Sequence, residues 1–314
     1  MKLSYYTDSL AHLSLEEVLK IITEKDIYHI ELATGGWSPA PHVSLNHLLN
    51  DETALDEFKA LLSQYNVEIV ALNCSGNPLD PGELGQEHRD VTEKTFQLAE
   101  KLGVQKIVMM SGLPPASPND ETPNWITTTV TVSWPPQLKD ALEYQWNEVA
   151  LPYWKKLVKI AKNHGIEKIA LENHGTQLVY NPETLLKLRN AVDPIIGMNL
   201  DPSHLLWMGA DPIQCARVLE GAIHHMHGKD LRLEKSRVDL NTFIDTKEIE
   251  DTKNRAWNFV AIGYGQDLQW WKTFFSVIRM VGYDDFVSLE MEDFTMLAED
   301  GVDVSIKALQ EVLI

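Results

Sequence analysis

The chain has 314 residues, 44% hydrophobic and 23% charged, an ordinary composition for a globular protein with room for one large barrel domain over residues 1–314. Its 27 basic and 46 acidic residues leave a net charge of −19, which repels phosphate backbones and argues against general nucleic-acid affinity. Two cysteines, Cys74 and Cys215, supply neither a disulfide framework nor zinc-knuckle spacing, and the sequence offers no signal peptide and no membrane span, so a soluble, cytoplasmic protein is expected.

In chain order, short apolar runs alternate with helical stretches. Residues 2–7 (KLSYYT) read as a strand, followed by a helix that opens on the capping box Ser14–Glu17. Residues 28–36 (YHIELATGG) precede a loop and a helix over 53–65, and 67–76 (VEIVALNCSG) precede a helix closed by Gly103. The run 104–112 is followed by a long segment rich in Pro, Thr and Trp, then by the helical YWKKLVKIAKNHG. Residues 166–175 (IEKIALENHG) lead to a helix capped by Asn181, then to IIGMNLDPSH. The helical DPIQCARVLEG leads to 223–230 (IHHMHGKD), and a last helical stretch, DLQWWKTFFSVIRMVG, precedes 286–293 (FVSLEMED). Eight strand-like runs, mostly followed by helices, predict a closed (β/α)8 barrel. A doubly wound open sheet fits less well, because the chain has no Gly-x-Gly-x-x-Gly loop and no Walker motif. Residues 113–148 and 231–266 exceed ordinary connections, and both follow strand C-termini, where a barrel builds its catalytic face. The second is expected to act as a lid, with Trp257 and Phe259 as its anchors on the barrel.

The last four strands end alike. IALENHG, GMNLDPSH, HHMHGKD and VSLEMED run out of apolar residues into Glu172, Asp201, His227 and Glu290. An Asp-Pro pair by itself only starts a helix, and this chain has others at 80–81, 193–194 and 211–212. Three carboxylates and an imidazole brought to one barrel rim repel unless a cation or protons compensate. One divalent metal resolves the repulsion. Oxygen-rich coordination with one nitrogen suits Mn²⁺, the leading expectation, and is compatible with Mg²⁺, Co²⁺ or Zn²⁺.

The pieces LENH, LDPSH, HGKD and SLEMED, supported by QLAEKLGV, resemble the sugar phosphate isomerase/epimerase family of xylose isomerase-like TIM barrels, and the resemblance spans essentially the whole chain. It implies that Glu172, Asp201, His227 and Glu290 hold one catalytic divalent metal and that His204 contacts the substrate. It further implies an isomerase or epimerase of a sugar, polyol or sugar phosphate. Glu172 and Glu290 would then transfer protons on opposite faces of a metal-stabilised enediolate.

Around these residues, Lys229 shares a face with His227 and is a candidate to hold a substrate oxygen or phosphate, with a solvated lysine or an ion pair to Asp230 as the plainer reading. Glu292 faces the same way as Glu290 and competes with it. His174 and His225 are read as packing or supporting groups. Trp37, Asn73 and Trp125 are candidates for a sugar pocket, and His88 and His164 read as exposed helix residues. An inosose-type dehydratase on the same scaffold is the main alternative. An endonuclease IV-like nuclease fits poorly, since the third and fourth strands end in ALNCSG and VMMSG without histidine. The expected partner is a small carbohydrate, with no nucleic acid and no membrane. The sequence leaves a homo-oligomer open, with the Trp-rich 113–148 as a candidate interface.

Overall fold

The computed structural model describes residues 1–314, apart from the side chain of Gln137. Eight parallel strands close a barrel: β1 (Lys2–Tyr6), β2 (His29–Ala33), β3 (Glu68–Asn73), β4 (Lys106–Met109), β5 (Lys168–Glu172), β6 (Ile196–Leu200), β7 (Ile223–Gly228) and β10 (Phe286–Leu289). Between the last two, β8 (Asp230–Leu233) and β9 (Trp257–Val260) form an antiparallel hairpin outside the barrel. The strands pair in sequence order, and β1 closes the ring against β10. The expected (β/α)8 barrel is the observed fold.

Strand alternation divides the side chains between two environments. Ile30, Leu32, Leu72, Ile107, Ile169, Leu171, Met198, Leu200, Met226, Val287 and Leu289 join the core between the sheet and its helices. The other set faces the barrel axis. Ala71, Val108 and Ala170 form a small apolar cluster there, apart from the main core. Beside it, Ser4, Glu31, Asn199, His225 and Ser288 are polar axial positions that are fully buried. The ligand candidates continue this axial series at the strand ends.

Helices form where the sequence caps and patterns them. The capping box of Ser14 with Glu17 starts Leu15–Thr23, and Asn181 with Thr184 starts Pro182–Ala191. In Leu268–Met280, Trp271, Phe274, Phe275 and Ile278 are buried, each contributing roughly 1.5–3 kcal/mol of transfer free energy. A helix over Ala298–Val312 follows the last strand and was not anticipated. Its Val302, Ile306, Leu309 and Val312 pack inward at helical spacing. No helix is long and apolar enough to cross a membrane.

The two long connections lie after β4 and after β7. The first carries short helical turns, Thr129–Ser133 and Ala141–Tyr144, and runs on into Leu151–Asn163. The second holds the β8–β9 hairpin and a helix over Lys235–Asn241. Asp230 ties its base down, accepting hydrogen bonds from the backbone N–H groups of Leu231, Gly263, Gly265 and Gln266. Gly265 fits because the backbone passes so close that a Cβ there would lie 2.2 Å from the Leu231 carbonyl oxygen.

Candidate active site

Glu172 ends β5, Asp201 follows β6, His227 lies near the end of β7 and Glu290 follows β10. One ligand atom from each lies within 4.8 Å of all the others. Glu172, Asp201 and His227 are buried, and the Glu290 side chain is 12% exposed. The four residues named from the strand ends are therefore brought together.

Their hydrogen bonding shows what the cluster can hold. Asp201 uses Oδ1 to accept the N–H of Ser203, capping the helix Pro202–Trp207, while its buried Oδ2 has no partner. His227 Nδ1 and Glu290 Oε2 are also buried without a hydrogen bond. These two atoms stand 3.0 Å apart, an ion pair's length without a hydrogen bond's alignment. Buried polar atoms are normally satisfied; here Asp201 Oδ2 has no hydrogen bond, and Glu290 Oε2 has charge contacts with His227 and Lys229 but no aligned hydrogen bond, so the cluster is short of a partner. An ion with three oxygen donors and one nitrogen donor fits that description.

Glu31, which the sequence reading passed over, supports the cluster from below. In mid-β2 and fully buried, it accepts hydrogen bonds from Asn73 Nδ2 at 2.8 Å, His225 Nε2 at 2.9 Å and His227 Nε2 at 3.1 Å. Ser288 joins His225 at 2.8 Å and Ser4 at 2.9 Å. Glu31, His225 and His227 also lie close enough to hold a metal, but their atoms already satisfy one another. The trio is better read as a carboxylate–histidine support that holds the His227 ring and turns Nδ1 toward Glu172, Asp201 and Glu290.

Electrostatics follow burial and these contacts. Burial pushes Asp201 up to about 7, with Lys229 opposing the rise and Glu290 and Glu172 adding to it. Burial also raises Glu172, and Glu290 adds to that shift. For Glu290 the raising effect of burial is outweighed by Lys229 and His227, which hold it below the ordinary carboxylate range. Burial alone would lower His227, but Glu31 and Glu290 hold it well above the ordinary histidine value.

His204 is buried, its Nε2 lying 3.1 Å from Glu172 Oε1 and 3.4 Å from Asp201 Oδ2. Burial and Lys229 hold it well below the ordinary histidine value, so the ring is neutral. Trp207 Nε1 donates to its Nδ1 at 3.3 Å, which assigns the proton to Nε2 and makes His204 a donor toward Glu172. His174 packs edge-on against the same ring, 4.3 Å between centroids, and burial lowers it to about 4.

Lys229 differs from its plainer reading. It is buried and pairs with Glu292 at 2.5 Å and Glu290 at 3.2 Å, while Asp230 is occupied with the loop. Phe259 lies beneath the ammonium, 4.3 Å from it. The competition between Glu290 and Glu292 resolves on geometry, with Glu290 in the ligand cluster and Glu292 holding the lysine.

A cavity of about 430 Å³ opens over the cluster, within the range of small-molecule sites. Glu172, His174, His204, Lys229, Glu290 and Glu292 line it, together with Tyr6, Asp8, Trp37, Asn73 and Phe259. Trp37 is 52% exposed at its mouth. Gly36 lets the backbone turn there, at φ +88° and with the Ser75 carbonyl 2.1 Å from where a Cβ would sit. Trp125 lies elsewhere, packed on Tyr180 and Trp207 beside a separate cavity. Arg232 is engaged with Glu234. His88 is 3% exposed, contrary to its reading as a surface residue: it accepts the Asn77 N–H and meets the Trp37 ring edge-on. His164 is half-buried against Glu100.

A family model described as xylose isomerase-like TIM barrel matches residues 24–312. The chain is 60% identical, over all of its own length and 99% of the other, to the uncharacterized protein YfiH of Bacillus subtilis (strain 168). It is 27% identical to an inosose dehydratase of Mesomycoplasma hyopneumoniae (strain J), over 44% of each chain. Among solved structures it resembles the IOLI protein with a bound zinc atom, at TM-score 0.67 and 21% identity over 100% of this chain and 98% of that one. It also resembles D-psicose 3-epimerase in the presence of D-fructose, at TM-score 0.64 and 12% identity over 99% and 98%.

Proposed function

The chain belongs to the xylose isomerase-like TIM-barrel family, and on that premise we propose that it is a divalent-metal-dependent isomerase or epimerase of a carbohydrate, moving a proton at the carbon beside a carbonyl. The observation that carries this reading is that Glu172 and Glu290 both belong to the four-ligand cluster and both line the cavity above it. They stand at the ends of β5 and β10, with β6 and β7 between them, and so reach a bound substrate from two directions.

Held by Glu172, Asp201, His227 and Glu290, a divalent cation supplies Lewis acidity for the negative charge that develops on the carbonyl oxygen. The chain's own groups do the rest. One carboxylate takes the proton from the carbon, and the other, or the same one, returns it. His204, with its one proton on Nε2, orients Glu172 and forms part of the cavity wall beside it. Asp201 binds and does not move protons, because its second oxygen is committed to the helix N-terminus. Trp37 and Phe259 offer apolar faces for the C–H side of a sugar. The zinc atom in the IOLI structure supports metal binding by this fold without identifying the ion used here.

Turnover in D₂O with added Mn²⁺ tests the reading. Proton transfer through carboxylates places solvent deuterium beside the carbonyl of the product, and Glu290→Gln abolishes turnover. The match to an inosose dehydratase favours a second reading, in which the same abstraction is followed by loss of a hydroxyl and the product is lighter by one water. Product free of solvent deuterium, with two metals bound per chain, would replace both readings with a hydride shift.

A further inference from the structure

The lining of the cavity carries chemistry that the proton transfer does not use. Four carboxylates, those of Asp8, Glu172, Glu290 and Glu292, face it, and Asp201 lies directly beneath. Among the described residues the one cation that lines it is Lys229. That ammonium is already engaged by Glu292 and Glu290 and lies over the Phe259 ring. The nearby guanidinium groups are occupied too. Arg232 pairs with Glu234, and Arg255 packs on Trp257 and donates to the Ile249 carbonyl. A divalent cation in the cluster still leaves the surroundings negative. A phosphate is held best by a free Arg fork or Lys ammonium, and among the described residues the cavity lining offers neither.

Asp8 has no part in the metal cluster. It follows β1 and lies between the main cavity and an adjoining one of about 230 Å³ that shares Tyr6, Asp8, Glu290 and Glu292 and adds Ser9 and Asp293. Its Oδ2 takes the Ser38 hydroxyl and, at 3.4 Å, that of Tyr6. Its Oδ1 is buried without a partner. The ionised carboxylate of a cavity-lining aspartate is acceptor-only, so it is suited to a hydroxyl donor and repels an anion. Asn73 and Ser75 add polar lining with no charge, and Trp37 adds a flat apolar face.

We propose that the substrate is an uncharged polyhydroxylated carbonyl compound, a free ketose or a cyclic inosose and not a phosphorylated or carboxylated one, and that Asp8 accepts one of its hydroxyls. The proposal rests on the proton-transfer reading for the reaction but not for the binding preference, so the two fail separately.

The test compares matched pairs with the Mn²⁺-loaded protein: free ketoses and inososes against their monophosphates. Binding is read by calorimetry, and reaction by NMR of deuterium incorporation. The neutral member of a pair is expected to be favoured by about 100-fold or more in kcat/KM, since juxtaposed like charges cost several kcal/mol and each 1.4 kcal/mol is tenfold. Asp8→Asn keeps the shape and removes the charge. It should raise KM for the neutral substrate about tenfold or more with a smaller change in kcat, because a site built to pair a hydroxyl discriminates through that pairing. In metal-saturated Glu292→Gln, where the cation occupies Glu290, the released Lys229 should narrow the preference for the neutral member. Equal or better binding and turnover of phosphates would overturn the proposal while leaving proton transfer standing. An unchanged KM in Asp8→Asn would remove Asp8 from it. A neutral substrate converted without solvent deuterium would overturn the reaction reading and leave the substrate class in place.

Discussion

Replacing Glu31 with glutamine tests whether the His227 ligand is held from below. Glu31 is fully buried, and its two oxygens serve Asn73, His225 and His227. Glutamine keeps the volume but removes the charge and turns one acceptor into a donor facing an imidazole. His227 then loses the partner that fixes which nitrogen carries its proton and how its ring is turned. A hydrogen bond to a charged group contributes about 1.5–3 kcal/mol net, which corresponds to roughly ten- to a hundredfold in an equilibrium constant. Loss of a comparable supporting contact to a metal ligand costs about the same factor in affinity. Glu31→Gln is therefore expected to bind Mn²⁺ or Zn²⁺ about 10–100-fold more weakly at fixed pH, read by chelator competition. Saturating metal should restore most of kcat, which separates a positioning role from a proton-transfer one. A variant that folds and binds metal as tightly as the parent would refute the support argument, because the hydrogen bonds would then carry no coupling to the site.

Other substitutions probe other parts of the same framework. Asp201→Asn should cost more than Glu31→Gln in metal affinity, since it neutralises a ligand directly, yet it keeps an oxygen to cap Pro202–Trp207; chelator competition against a thermal melt separates the two effects. His204→Gln should raise KM more than it changes metal affinity, because the histidine lies beside the ligands and lines the cavity without joining the cluster. Burial alone would raise Asp285, but Lys106 and Lys168 together hold it down to about 2. Its folded value lies below its unfolded one, so its contribution is complete above about pH 4 and is lost as the pH falls toward 2. Asp285→Asn should flatten that acid limb of the stability curve by ~1–2 kcal/mol after allowance for partial exposure. Gly265→Ala should weaken hydrogen-exchange protection over 260–266, where the added methyl meets the Leu231 carbonyl.

The barrel was legible because each strand-like run is a contiguous apolar stretch followed by helical periodicity, both local properties. The convergence of Glu172, Asp201, His227 and Glu290 was legible because each sits where such a stretch stops. Glu31 was not, since its meaning lies in partners 194 and 196 residues away, and one glutamate inside HIELA looks locally like an alternating surface position. A usable signal was present all the same: a charged residue within an apolar barrel strand, in step with buried axial positions, requires a partner. His88 was misread for a related reason. Charged neighbours in EHRDVTEK suggested exposure, but Thr92, Thr95 and Ala99 continue its face at helical spacing and all are buried. The helix over Ala298–Val312 lacks a polar cap, its N-terminal flank being Leu297, so only its apolar periodicity and the acidic Glu299 and Asp300 of its first turn marked its start. Of the 231–266 segment, Phe259 lies against both His204 and Lys229.

The same charges that make the site able to bind a cation make it costly to fold without one. Glu172, Asp201 and Glu290 converge in a buried space, and an isolated buried carboxylate is destabilising by several kcal/mol. The chain offsets that cost with two internal cations, His227 and Lys229, both within 3.2 Å of Glu290 Oε2. Such compensation carries a hazard, because a lysine free to settle among the ligands would compete with the metal for them. Glu292 answers it. Its 2.5 Å contact with Lys229 is shorter than the 3.2 Å contact to Glu290, and it draws the ammonium toward the Phe259 side of the cavity. Two adjacent outgoing carboxylates in SLEMED thus divide the work, one for the metal cluster and one for the lysine. Removing the second, as in Glu292→Gln, should therefore lower metal affinity although Glu292 lies outside the cluster, because the released ammonium then turns more fully onto Glu290. A Glu292→Gln protein whose metal affinity equals that of the parent would show that the lysine never competes for the site.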